Sequence, residues 1–100
     1  MNKEERLALY KKSTAKWGIQ AQIDQMIEEM AELIVALNKY KRYKFYNEKR
    51  NEEVMMQNLF VELADVTICL EQMSSIFGEA QIDRVRDLQL DKFLKQVEKA

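Results

Sequence analysis

Residues 51–78 read NEEVMMQNLFVELADVTICLEQMSSIFG, and this stretch decides the fold. Its apolar residues Met56, Leu59, Leu63, Val66, Leu70, Met73 and Phe77 recur at alternating spacings of three and four. That is the period of a helix lying along the seam of a bundle. Val61, Ala64 and Ile68 add a second apolar side. Gly78 lacks a Cβ and suits the left-handed residue that closes a helix, so the pattern predicts a helix from about Asn51 to Gly78.

Upstream, the same habit recurs. Ile23, Ile27, Met30, Ile34 and Leu37 form one side of a helix starting near Ile19 and running at least to Tyr40, with Ala31 and Val35 beside it. A first helix is expected from about Lys3 to Ala15, capped by Asn2, with Leu7 and Tyr10 as its apolar side; Ser13, Thr14 and Gly18 mark a break near Trp17. A fourth covers about Ala80 to Lys99, with Ile82, Val85, Leu88, Phe93, Leu94 and Val97 as candidate core residues. Two helices apolar over most of their circumference belong at the centre, covered by the outer two. A chain this short has little surface left for that task. The expectation is therefore an all-α, four-helix bundle-like single domain over residues 1–100, completed by homo-oligomerisation as a dimer or tetramer.

Composition agrees and removes much chemistry. The 100 residues hold no proline and two glycines, which argues against a β-rich fold with its many turns. There is no histidine, so Ser-His-Asp triads, HExxH zinc sites and Glu-x-x-His di-iron bundles are impossible. A single cysteine forms no intrachain disulfide and favours a reducing, cytoplasmic setting. The net charge of -1 argues against whole-domain binding to nucleic acid. The charged N-terminus MNKEERLALYKK lacks a signal-peptide core, and no uncharged apolar run approaches the ~20 residues of a membrane span.

What remains is carboxylate chemistry, and the acids fall where a central helix should not carry them. Glu28, Glu29 and Glu32 form E-E-x-x-E on the second helix; Glu62 and Asp65 form E-x-x-D on the third. Side chains three apart project from one side of a helix. Residues 20–38 carry Asp24, Glu28, Glu29 and Glu32 with no base, a net of -4, and Glu62 and Asp65 also lack a base within four positions. Desolvating such acids is costly unless they take protons or a cation. One i,i+3 pair from each of two antiparallel helices makes a four-carboxylate cage for a hard divalent ion such as Mg²⁺.

These residues resemble the MazG-like, all-α nucleoside triphosphate pyrophosphohydrolases. The resemblance rests on Glu28-Glu29-Met-Ala-Glu32 and Glu62-Leu-Ala-Asp65, on Trp17-Gly18 ahead of a helix bearing Gln22, and on the apolar run after Asp65. It spans roughly residues 16 to 98. It implies Mg²⁺-dependent hydrolysis of an NTP or dNTP to monophosphate and pyrophosphate, with Mn²⁺ a substitute. Glu29, Glu32, Glu62 and Asp65 would be metal ligands, Glu28 would assist through the outer shell or the attacking water, and Trp17, Gln22, Lys92 and Lys95 would contact substrate. The pattern departs from many relatives at Val61, where they carry a second acid. The competing reading is a non-catalytic helical module that binds nucleotide or a protein partner.

Residues 39–50, KYKRYKFYNEKR, hold six bases against one acid, a net of +5, with Tyr40, Tyr43, Phe45 and Tyr46 interleaved. The favoured reading is a hairpin end with aromatics packed on a neighbour and lysines in water. Cys69 reads as a buried small residue, since no base stands by to lower its pKa.

Overall fold

The computed structural model describes residues 1–99, which form four α-helices and, among the described residues, no strand: α1 (Lys3–Trp17), α2 (Ile19–Phe45), α3 (Glu52–Phe77) and α4 (Glu79–Lys99). The ends follow local chemistry. Asn2 caps α1 through a capping box with Glu5, Asn51 caps α3 by accepting from the backbone of Val54, and Gly18 and Gly78 separate consecutive helices with φ of 89° and 122°. The second helix runs beyond Tyr40 to Phe45, because nothing in KRYKF breaks it before Asn47 enters the left-handed region at φ 56°.

The centre is the α2–α3 hairpin, but its seam is displaced from the expected one. Gln22, Met26, Glu29 and Ala36 of α2 are buried, facing Met55, Leu59, Val66, Cys69 and Gln72 of α3, with Leu33 and Met73 packed against the core. Of the expected stripes, Leu59 and Val66 are inside and Ile23, Met56 and Met73 half-buried, whereas Ile27, Met30, Ile34, Leu37, Leu63, Leu70 and Phe77 are exposed. On α2 the inner face lies one residue earlier, about 100° round the axis. Hydrophobicity marks both faces as buriable and does not say which one the same chain covers.

The outer helices correct a second expectation. α1 packs on the hairpin through Tyr10, whose hydroxyl donates to Glu71 at 2.7 Å, while Arg6 grips the same carboxylate with two nitrogens at 2.7 and 3.1 Å. α4 covers almost nothing: it packs only along α3, with an ion pair from Glu79 to Lys3 of α1 at its start, and beyond Asp83 every described residue is exposed, including Val85, Leu88, Phe93, Leu94 and Val97; Ile82, just before it, is exposed too. The radius of gyration is 17.0 Å, against about 13 Å for a typical domain of this length. The accessible surface is 8018 Å², about 2,000 Å² above that of a compact monomer of this mass.

Arg6, and then Tyr10, hold the Glu71 carboxyl at about 2, far below its ordinary 4.5. Glu71 thus stays ionised in the folded chain at pH values where the unfolded chain would protonate it. Its contribution is full above about pH 4.5 and is lost as pH falls toward 2. Glu71→Gln should lower stability at pH 6 and flatten the acid limb between those values, as read by urea melts across pH.

Candidate functional site

The seam positions of α2 and α3 carry acids midway along the contact and a pair of glutamines, Gln22 and Gln72, near its end. Glu29 and Glu32 from α2 meet Glu62 from α3, with carboxylate oxygens lying within 4.8 Å of one another. Glu29 is 9% exposed; its Oε1 accepts from Gln25 Nε2 at 2.7 Å, while its Oε2 and Glu62 Oε2 are buried without a hydrogen-bond partner. None of the ion pairs among the described residues reaches these acids: the bases that pair do so with Glu79, Glu71, Glu48, Asp83 and Asp87.

Burial pushes the Glu29 carboxyl above its ordinary value, and the charges of Glu32 and Asp65 push it further. Glu32 is raised likewise, by desolvation first and then by Glu62 and Glu28. Negative charge is held together here without a positive group to offset it. Three hard oxygen donors from two helices, two of them with unsatisfied oxygens, could hold a divalent cation.

Of the residues singled out in the sequence, Glu29, Glu32 and Glu62 come together. Asp65 lies beside Glu29 on the wall of an adjoining cavity of about 540 Å³, which Trp17 and Gln22 also line. Glu28 is exposed, outside the three-acid cluster but near enough to raise Glu32. Lys92 and Lys95 are not brought to the acids: they stand on the exposed part of α4, which makes no contact with α2. The Cys69 thiol, which also lines the cavity, is pushed up by burial and then by Glu29 and Asp65, so it stays protonated and a poor nucleophile.

Sequence reasoning did not assign Ser13, Gln25 or Gln72 to the site. Gln72 Nε2 donates to Gln22 Oε1 across the seam, and Ser13 Oγ donates to the same oxygen at 3.1 Å. The available signal was the stripe Gln22, Gln25, Glu29, Glu32 opposite Glu62, Asp65, Cys69, Gln72, polar side chains at positions where a bundle packs. At the other end of the hairpin, Arg42 and Arg50 both pair with Glu48, Tyr40 and Tyr43 are half-buried, and Phe45 and Tyr46 are exposed.

No protein-family model, no curated protein and no solved structure matches the chain. No helix among the described residues is long and apolar enough to cross a membrane.

If the cluster is a site of uncompensated repulsion, removing a charge stabilises the cation-free fold. Glu29→Gln and Glu32→Gln should each raise the melting temperature at pH 7 in the presence of chelator. A fall in both variants would mean that the carboxylates contribute to folding as they stand.

Proposed function

We propose that the chain is a Mg²⁺-dependent nucleoside triphosphate pyrophosphohydrolase of the MazG-like kind, acting as a homo-oligomer. The observation that carries this reading is the convergence of Glu29, Glu32 and Glu62 oxygens across two helices with no base of the chain's own beside them. The donor set fits the ion: all are hard carboxylate oxygens, and the orphaned Glu29 Oε2 and Glu62 Oε2 lack another partner. Glu29, Glu32, Glu62 and, beside them, Asp65 would hold it. When bound, Mg²⁺ neutralises phosphate oxygens and lowers the pKa of a coordinated water.

The rest of the work falls to side chains. Glu28 carries an exposed carboxylate that accepts a proton from the attacking water in this reading. Gln25 holds Glu29 Oε1 in place. Trp17 and Gln22 line the cavity that receives the remainder of the nucleotide. No histidine or cysteine nucleophile is required, because hydrolysis of a phosphoanhydride depends on charge neutralisation and an oriented water.

Oligomerisation rests on surface arithmetic. The more apolar stripes of the hairpin, Ile27, Met30, Ile34 and Leu37 on α2 with Phe60, Leu63 and Leu70 on α3, face outward, as do the apolar residues of α4. Burying the surplus of about 2,000 Å² on each chain would give a dimer interface of about 4,000 Å² in total, within the range of obligate interfaces, which runs upward from about 2,000 Å².

With Mg²⁺ and a nucleotide panel, the expected products are monophosphate and pyrophosphate. Glu32→Gln and Asp65→Asn should lower turnover on the order of 100-fold. Release of orthophosphate, or full activity in both variants, would count against the reading. Mg²⁺ at ten times its Kd should stabilise the wild-type fold by roughly 1.4 kcal/mol, visible as a higher melting temperature; an unresponsive melt points to a non-catalytic helical module.

Sedimentation velocity tests the assembly separately. The wild type should run as a dimer or larger, and Ile34→Glu or Leu63→Glu should shift it toward monomer. A wild-type monomer at micromolar concentration would remove the oligomer from the account.

A further inference from the structure

The cavity beside the glutamates has a polarity set by its amides. The backbone carbonyl of Ser13 can only accept, and Gln22 meets it through Nε2 at 3.4 Å. Gln22 Oε1 therefore faces the seam as an acceptor, taking the Ser13 hydroxyl at 3.1 Å and Gln72 Nε2. Gln72 Nε2 also reaches Ser13 Oγ at 3.4 Å. With its nitrogen committed to the protein, Gln72 has its Oε1 left over. Gln25 is oriented the same way by a different partner: its Nε2 donates to Glu29 Oε1 at 2.7 Å, and a carboxylate only accepts. Reversing either amide would set oxygen against oxygen.

Neither leftover oxygen has a partner among the described residues, and both glutamines line the cavity. Gln72 is only 6% exposed, and what it does present lines that space. At the rim, Trp17 is 61% exposed and has the Lys16 ammonium 4.9 Å from its ring centroid on one face. At that exposure the indole leaves ring surface on which a planar base can stack.

We infer that this cavity takes the base of the nucleotide and selects bases bearing an amino group (guanine, adenine, cytosine) over uracil and thymine. The inference rests on the nucleotide reading of the neighbouring acid cluster. Two fixed acceptors are satisfied by N–H donors. An exocyclic amine offers two hydrogens, and guanine adds its ring N–H. Uracil and thymine offer one N–H flanked by two carbonyls, and set oxygen against the amide oxygens.

Trp17 is the only tryptophan of the chain, so intrinsic fluorescence reports from the cavity itself. Titrations with GMP, AMP, CMP, UMP and dTMP, without metal and corrected for nucleotide absorbance, separate binding from turnover. The three amino-bearing nucleotides should quench Trp17 with about tenfold tighter affinity than UMP and dTMP. Gln72→Leu should bring that ratio close to unity. Gln25→Leu, at an exposed position, should narrow it and keeps the test decisive where Gln72→Leu fails to fold. Equal affinities, a ratio that survives in every folded variant, or no quenching by any nucleotide would overturn the inference. Pyrophosphate release without base preference would overturn it and leave the hydrolase reading standing; base-selective quenching without turnover would do the reverse.

Discussion

Mutual repulsion of Glu29, Glu32 and Glu62 at the α2–α3 seam is the constraint around which the rest of the structure is arranged. Two of these acids occupy positions where a helical hairpin ordinarily packs leucine, and an ionised group loses part of its hydration there. Met26, Val66 and Cys69 form a small core on one side of them, and Ala36, Met55 and Leu59 are buried on the other. The contact is thus charged in the middle, apolar on either side, and polar again where Gln22 meets Gln72 near its end. A seam of this kind holds its shape through the flanking packing and not through the charges. The raised Glu29 and Glu32 carboxyls carry the same message, since protonation relieves what the fold imposes.

Helix existence and boundaries were legible in the sequence wherever a backbone rule applied. Asn2, Asn51, Gly18 and Gly78 announce ends because their side chains, or the lack of one, satisfy specific backbone groups. The inner face was not legible. Ile27, Met30, Ile34 and Leu37 make a cleaner stripe than Gln22, Met26, Glu29, Leu33 and Ala36, yet the second stripe is the one inside. Amphipathic strength measures how much a face gains from leaving water; it does not distinguish burial by the same chain from burial by another. The acid cluster was readable for the opposite reason. Charge without a base within a helical turn has few structural uses, so Glu29, Glu32 and Glu62 stood out. Glutamine carries no such charge signal, and the orientation of Gln22 and Gln72 depends on Ser13, which α1 brings from outside the hairpin, while that of Gln25 depends on Glu29.

The proposed second copy follows from that same inversion. A seam spent on polar residues leaves little intrachain apolar contact, and α4 supplies none beyond its first turns. The chain then exposes its most hydrophobic stripes, an arrangement that water penalises at about 25 cal/mol per Å² of apolar surface. Burying those stripes between copies would supply the packing that the charged seam gives up, so the strained site and the oligomer belong to one account. Stability gained at the interface would permit a cluster that a lone hairpin tolerates poorly.

Charge is also segregated along α2 and the turn after it, with a net of -4 over residues 20–38 and +5 over residues 39–50. It is tempting to let the basic end neutralise an incoming polyphosphate, but distance argues otherwise. Arg42 and Arg50 are already paired with Glu48. At 1.5 Å per residue, Lys39 lies about 10 Å along the axis from Glu32 and Lys44 about 18 Å. The Debye length at physiological salt is about 8 Å, so these ammonium groups are largely screened at the cluster. A phosphate chain approaching Glu29, Glu32 and Glu62 would meet three carboxylates with no base among them. In the proposed reaction the cation must therefore be in place before, or arrive with, the nucleotide, and the lysines at the hairpin end take no part in the chemical step.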